Sequence, residues 1–265
     1  MESMNRILNL SKRLVKKAFN VIGLDIVRVS KDLRVAPETA FLLYHYQRHN
    51  QRRLEHLASL GLPIIGSTVL EVGAGIGDHT SFFIDRGCKI VTSDAREENI
   101  EILRSRYPNI KVLHLDLNHH LDPPEEFNEL FDIVYCYGLL YHLQNPVKAI
   151  KFISKYAKRL LLLETCVSYG GDDLINFCTE DAKNPTQALS GSGCRPTRRW
   201  VYNQLKKYFD FVYMPITQPN HEEFPIDWIT LPPKKIVTRA IFIASREKLN
   251  NSLLTEEIPM KQIRH

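Results

Sequence analysis

The segment from Thr68 to Thr80 reads T-V-L-E-V-G-A-G-I-G-D-H-T and constrains the fold more than any other stretch of the chain. A short β-branched run, Thr68 to Val72, feeds three glycines at alternate positions, Gly73, Gly75 and Gly77, and a helical segment begins near Asp78. A strand running through a glycine turn into a helix is how an α/β sheet builds a nucleotide site at its carboxyl edge. Glycine lets the backbone turn sharply and lets a ligand approach where a Cβ would stand in the way. A dinucleotide fingerprint would place its third glycine at Asp78; here the pattern is E-x-G-x-G-x-G.

Two further strands end in acids. Lys89 to Thr92 leads to Asp94, about 20 residues past the glycine turn, where a carboxylate accepts from ribose hydroxyls. Asp94 is equally a good cap for the helix that Glu97 and Glu98 open. Val112 to Leu115 ends in Asp116. Strands are expected at 68–72, 88–93, 111–115, 131–136 and 159–164, and helices at 37–60, 78–86, 96–106 and 145–157. This alternation predicts a parallel sheet with helices on both faces. Toward the C-terminus, a helix from Pro196 to about Tyr208 precedes two strands, Phe211 to Ile216 and Thr238 to Ser245, with no helix between them, which implies a hairpin.

The glycine motif resembles the first motif of class I S-adenosylmethionine-dependent methyltransferases. The segment Y-C-Y-G-L-L-Y-H-L-Q-N-P, Tyr135 to Pro146, resembles the G-x-L-Y-H-x-x-x-P stretch of one group of them. That group includes enzymes modifying the transfer-RNA wobble uridine through a carboxylated cofactor, and methyltransferases of glycans and small molecules. Leu163-Glu164-Thr165 and the run from Arg239 to Arg246 resemble the group's motif after strand five and its closing strand, so the likeness spans roughly residues 68–246. It implies an α/β, Rossmann-like, doubly wound, mostly parallel seven-stranded sheet with a C-terminal antiparallel hairpin and an N-terminal helical extension. It implies S-adenosylmethionine, or its carboxylated form, as cofactor. The cofactor contacts would be Glu71, Gly73, Ala74, Gly75, Gly77, Asp94, Ala95, Asp116, Leu117 and Tyr137. Tyr141 would stand at the cofactor's reactive end, with Arg239 in reach. His142 is the expected general base, because an imidazole titrates near neutral pH, and its alternative role is to pack the following turn. Glu164 is expected to orient an acceptor hydroxyl, and His79 to position the glycine loop.

The expected layout is a basic leader over 1–35, a helical cap over 36–66, the methyltransferase domain over 67–248 and a flexible tail over 249–265. Loops at 165–196 and 217–235 face the acceptor. In the leader, Ile7, Leu10, Leu14, Ala18 and Val21 form one stripe, with Lys12, Arg13 and Lys16 opposite. Such a helix either lies on an anionic membrane surface or packs on the main domain with its basic face solvated. A net charge of +5 permits an anionic partner without demanding one. Five cysteines without a C-x-x-C pair suggest free thiols in a reducing, cytoplasmic setting, peripheral to the membrane at most. Asp172-Asp173 reads as a solvated turn and His221-Glu222-Glu223 lacks the spacing of a zinc helix, so no required metal is expected. The leading expectation is methyl transfer to a hydroxyl of a small molecule or glycan precursor. RNA modification is the alternative; an NAD-dependent dehydrogenase or a non-catalytic binding module is more remote.

Overall fold

The computed structural model describes residues 36–119, 129–231 and 236–265, all within the unit Val35–His265. The expected basic leader lies outside the described residues.

Eight strands form the main sheet, in the order β11-β8-β10-β5-β4-β1-β2-β3. They are β1 (Thr68–Val72), β2 (Lys89–Asp94), β3 (Lys111–His114), β4 (Phe131–Tyr137), β5 (Ala157–Cys166), β8 (Phe211–Pro215), β10 (Arg239–Ser245) and β11 (Leu254–Thr255). The first five run parallel, and β10 inserts antiparallel between β5 and β8. Both faces of the central strands are buried, and alternate residues divide between two cores. Val69, Ile133, Tyr135, Leu160 and Ile241 pack toward α2 (Tyr44–Ser59) and α3 (Thr80–Ile84), through Leu57, Phe82 and Phe83. Leu70, Val134, Leu161 and Phe242 pack toward α5 (Pro146–Tyr156) and α6 (Arg198–Lys206), through Ile150, Ile153, Val201 and Leu205. Asn145 caps α5 by accepting from the Lys148 amide, with Pro146 at the first turn; Thr197 caps α6 by accepting from the Trp200 amide.

Four features differ from the sequence expectation. The helix expected over 37–60 is two helices, α1 (Pro37–Phe41) and α2, because Leu43 takes an extended ψ of 136°. The break leaves the Phe41 ring over the glycine turn, where a Cβ on Gly75 would come within 2.8 Å of it. Next, the stretch expected as a loop at 165–196 carries a hairpin of its own, β6 (Ile175–Thr179) with β7 (Ser192–Pro196). The tail expected to be flexible is tied down. β11 adds an eighth strand to the expected seven, and β12 (Ile263–Arg264) pairs with β9 (Thr217–Gln218). Gln262 anchors it, accepting from Trp228 Nε1 at 2.7 Å and donating to the Pro215 carbonyl at 2.7 Å. Finally, the helix expected over 78–86 shortens to Thr80–Ile84, between Gly77 and Gly87, both at positive φ.

Candidate active site

The carboxyl ends of β1, β2, β3 and β4 open into one cleft, lined by the glycine turn, by α1 and α2, by α4 (Glu97–Arg106), and by residues 185–189 of the β6–β7 loop. Glu71, Gly73, Ala74, Gly75, Asp94, Ala95, Asp116, Leu117, Tyr137 and His142 all line it. Gly77 does not. Its carbonyl accepts from Tyr107 Oη at 2.7 Å, and a Cβ there would lie 2.6 Å from the Tyr107 ring, so it is a packing glycine. Tyr141 and Glu164 do not line the cleft either.

The acids are held from within. Asp94 accepts from the Gly75 amide at 2.8 Å with one oxygen, and from the Arg96 amide and Asn99 Nδ2 at 2.9 and 3.0 Å with the other. It fixes the glycine turn and caps α4, and a carboxylate with about four acceptor positions still has one to offer a ligand. Burial raises its pKa, against the pull of those hydrogen bonds. Burial likewise lifts Glu71 to about 7, although Thr80 and Thr92 donate to it. Asp116 accepts from the Asn118 amide and pairs with His119 Nδ1, both at 2.8 Å.

Glu164 is a core ion. It is wholly buried and accepts from Arg53 on α2 and Arg239 on β10, so the acceptor-orienting role expected of it has no free oxygen facing the cleft. Arg239 also donates to Glu223 at 2.6 Å and to Tyr141 Oη at 3.3 Å. Two guanidinium groups lie over the Tyr141 ring, that of Arg195 at 5.0 Å and that of Arg239 at 4.9 Å from its centre. Among the described residues, the 217–231 segment contributes no side chain to the cleft lining; it reaches the site through Glu223.

His142 ends a 3₁₀ turn, Leu140–His142, just beyond β4, and its Nδ1 bonds Glu180, which follows β6. Burial lowers the imidazole pKa, and Glu180 opposes that shift. Burial would raise Glu180, but His142, Arg195 and the Ala188 amide outweigh it and hold the carboxyl at about 2. Sequence reasoning singled out neither Glu180 nor Arg195, which lie 15 residues apart and meet only in the folded chain. Gly193 was the available signal: a Cβ there would lie 2.4 Å from the Tyr141 carbonyl oxygen, so β7 must cross the 3₁₀ turn at a glycine. His79 bonds Tyr135 Oη at 2.8 Å, beside the glycine turn.

The cleft suits the expected cofactor. Gly73 and Gly75 both take positive φ, where glycine is unstrained, and present bare backbone to the cleft. Four polar atoms on cleft-lining residues are buried without a hydrogen-bond partner among the described residues: the acceptor Asn99 Oδ1, and Arg53 Nε, Tyr137 Oη and His79 Nε2. Burial, helped by Arg53, drops the His79 pKa to about 3, so the ring is neutral. Where Tyr135 donates to its Nδ1, Nε2 becomes a third donor beside the other two. Buried donors left open in this way call for an acceptor, and a carboxylate such as that of an amino-acid cofactor supplies one. Among the described residues, no group of three or more His, Cys, Asp or Glu side chains is arranged to hold a metal, and all five cysteines are free. No described helix is long and apolar enough to cross a membrane.

The solved structure of the N-terminal domain of EvdMO1, in the presence of SAH and D-fucose, superposes with a TM-score of 0.55 at 18% identity, covering 76% of this chain and 84% of that one. An S-adenosylmethionine-dependent methyltransferase from Mesorhizobium loti gives 0.51 at 15% identity, covering 74% and 98%. In sequence, phosphoethanolamine N-methyltransferase 3 of Arabidopsis thaliana is 31% identical over 132 residues, 46% of this chain and 26% of that protein. The tRNA U34 carboxymethyltransferase of Actinobacillus succinogenes is 31% identical over 132 residues, 47% and 39%. The chain thus spans between a quarter and two fifths of the length of these two relatives. The model of the methyltransferase-domain family matches residues 42–210, and the chain belongs to that family.

Proposed function

We infer that the acceptor is a hydroxyl of a small molecule or glycan precursor, and that His142 is the base that takes its proton. One observation carries this reading: a cleft-lining imidazole whose Nδ1 is held by a buried carboxylate, next to the glycine turn. When bound, S-adenosylmethionine supplies a methyl group on an already activated, positively charged sulfur. The protein's part is alignment, exclusion of water and proton removal. A hydroxyl gains from a base as its oxygen becomes nucleophilic, and His142 is neutral at physiological pH because burial holds its pKa low. The cofactor contacts are the glycine turn, Asp94 and the open donors of Arg53, Tyr137 and His79. Methyl-labelled S-adenosylmethionine, offered with a nucleotide-sugar and glycan fraction or with total transfer RNA, tests the reading. Label in an ether methyl of the first fraction is expected, and label confined to RNA overturns it.

The likeness to transfer-RNA carboxymethyltransferases favours a second reading, transfer of a carboxymethyl group to RNA. A carboxylated cofactor needs a cation at its reactive end. Arg239, the cation beside Tyr141, already donates to Glu223, Glu164 and Tyr141, which favours the unmodified cofactor. The apolar stripe from Ile7 to Val21 supports peripheral membrane contact through residues 1–24. Salt-sensitive sedimentation with anionic vesicles, lost on deleting those residues, is the expected result.

A further inference from the structure

Glu180 directly follows β6, in a hairpin outside the eight-stranded sheet. Its carboxylate is held from three directions. Oε2 accepts from His142 Nδ1 and from the Ala188 amide at 2.8 Å, and Oε1 accepts from Arg195 Nη2 at 2.9 Å. An ionised carboxylate can only accept, so the proton in the His142–Glu180 bond belongs to Nδ1 and the lone pair to Nε2. Nε2 has no hydrogen-bond partner among the described residues, and His142 lines the cleft.

The surroundings leave this arrangement little freedom. Arg195 also donates to the Tyr141 carbonyl at 3.2 Å, and the missing Cβ of Gly193 lets β7 pass beside both that carbonyl and Glu180 Oε1. The loop of the same hairpin is fastened to the far side of the cleft. There Arg96, just past β2, donates to the carbonyls of Ala182, Asn184 and Gln187 at 3.0–3.2 Å. The hairpin therefore roofs the cofactor end of the cleft with residues 185–189 and delivers Glu180 to His142 at the other.

We propose that Glu180 is the positioning residue of methyl transfer, fixing the His142 tautomer that leaves Nε2 available to the acceptor and stabilising the imidazolium that forms. The proposal rests on the base role inferred for His142. The acceptor's O–H bond breaks, its proton passes to Nε2, and its oxygen forms the new O–C bond while sulfur keeps the C–S pair. The arrangement follows the general logic of a base oriented by a third group. The charged groups acting on His142 are Glu180 from the hairpin, Arg195 from β7 and Arg239 from β10. The two arginines lower the imidazole pKa further and Glu180 alone raises it.

Nitrogen-15 NMR of the full chain bound to S-adenosylhomocysteine tests this without an acceptor, with His142→Gln identifying the His142 signals. The wild type should show the proton on Nδ1 at neutral pH. Glu180→Gln, close in size, should lower the imidazole pKa by about one unit or more, because it removes the adjacent negative charge. A wild-type proton on Nε2, or an imidazole pKa unchanged in Glu180→Gln, overturns the proposal. Should Glu180→Gln fail to fold, the wild-type tautomer alone decides. A His142→Gln enzyme that keeps wild-type turnover on the labelled acceptor removes the base reading and this proposal with it. An inactive His142→Gln beside an unresponsive titration removes the proposal alone.

Discussion

Arg53 on α2 donates to Glu164 on β5, joining two residues that are 3% and 0% exposed. The other oxygen of Glu164 accepts from Arg239 at 3.2 Å, so one carboxylate serves two buried cations. Glu164→Gln removes that charge. Arg239 keeps Glu223, whereas Arg53 keeps only the Asn50 side chain among its described hydrogen-bond partners. A buried pair broken from one side leaves an uncompensated ion and costs about 3–5 kcal/mol. Urea denaturation should register a loss of that size. Wild-type stability with impaired turnover would return Glu164 to the acceptor.

The parts of this molecule that were legible in sequence are those set by local rules. β1 through β5 and the helices after β2 and β4 follow from hydrophobic runs, caps and glycine stops, and their ends fall within two residues of expectation. The cleft-lining acids and glycines follow from their place at strand ends. What could not be read depends on contacts between distant residues. The hairpin β6–β7 is built from I-N-F-C-T and S-G-C-R-P, which lack a strong alternation, and it is held by Arg195, Glu180 and the 3₁₀ turn. The ordered tail rests on Gln262 and Trp228, 34 residues apart. Glu164 looked available because a sequence shows an acid at a strand end but not the two arginines, 111 and 75 residues away, that occupy it.

Gly193 should tolerate no side chain. Its Cβ would lie 2.4 Å from the Tyr141 carbonyl oxygen and 2.8 Å from Glu180 Oε1, and the first of these is backbone that cannot rotate away. Gly193→Ala should destabilise the protein by about 1–3 kcal/mol, as overpacking does, and reduce turnover. Gly171→Ala, with nothing among the described residues within 4 Å of the added carbon, is the control and should be near neutral in the same thermal melts.

Glu71 makes stability depend on pH in a definite direction. Burial lifts its carboxyl from 4.5 to about 7, against the hydrogen bonds from Thr80 and Thr92. The folded state therefore binds this proton more tightly than the unfolded state. The resulting stabilisation is complete below the unfolded pKa and is lost as pH rises through about 7. Glu71→Gln keeps an acceptor for both threonines and cannot ionise. Its stability relative to wild type should rise by up to about 3 kcal/mol between about pH 4 and 8, read from denaturation midpoints across that range. A constant difference between the two proteins would place the Glu71 pKa near its unfolded value.

Tyr137 separates the needs of the empty and loaded cleft. Its hydroxyl is buried without a partner among the described residues, and an unsatisfied buried hydroxyl costs about 1–3 kcal/mol. Tyr137→Phe removes only that oxygen, so the ligand-free protein should be as stable as wild type or more stable. If the hydroxyl donates with Arg53 and His79 to the cofactor's carboxylate, the same change should weaken S-adenosylhomocysteine. A lost hydrogen bond to a charged group is worth about 1.5–3 kcal/mol, or roughly 10- to 100-fold in affinity. 5′-Methylthioadenosine, which keeps the nucleoside and lacks the amino-acid end, should bind wild type and Tyr137→Phe alike. Calorimetry with both ligands on both proteins gives the four affinities. A loss limited to S-adenosylhomocysteine locates the carboxylate at Tyr137. An equal loss for both ligands would assign the hydroxyl to the nucleoside, and no loss for either would leave Tyr137 a packing residue stacked on Tyr135, their ring centres 4.4 Å apart.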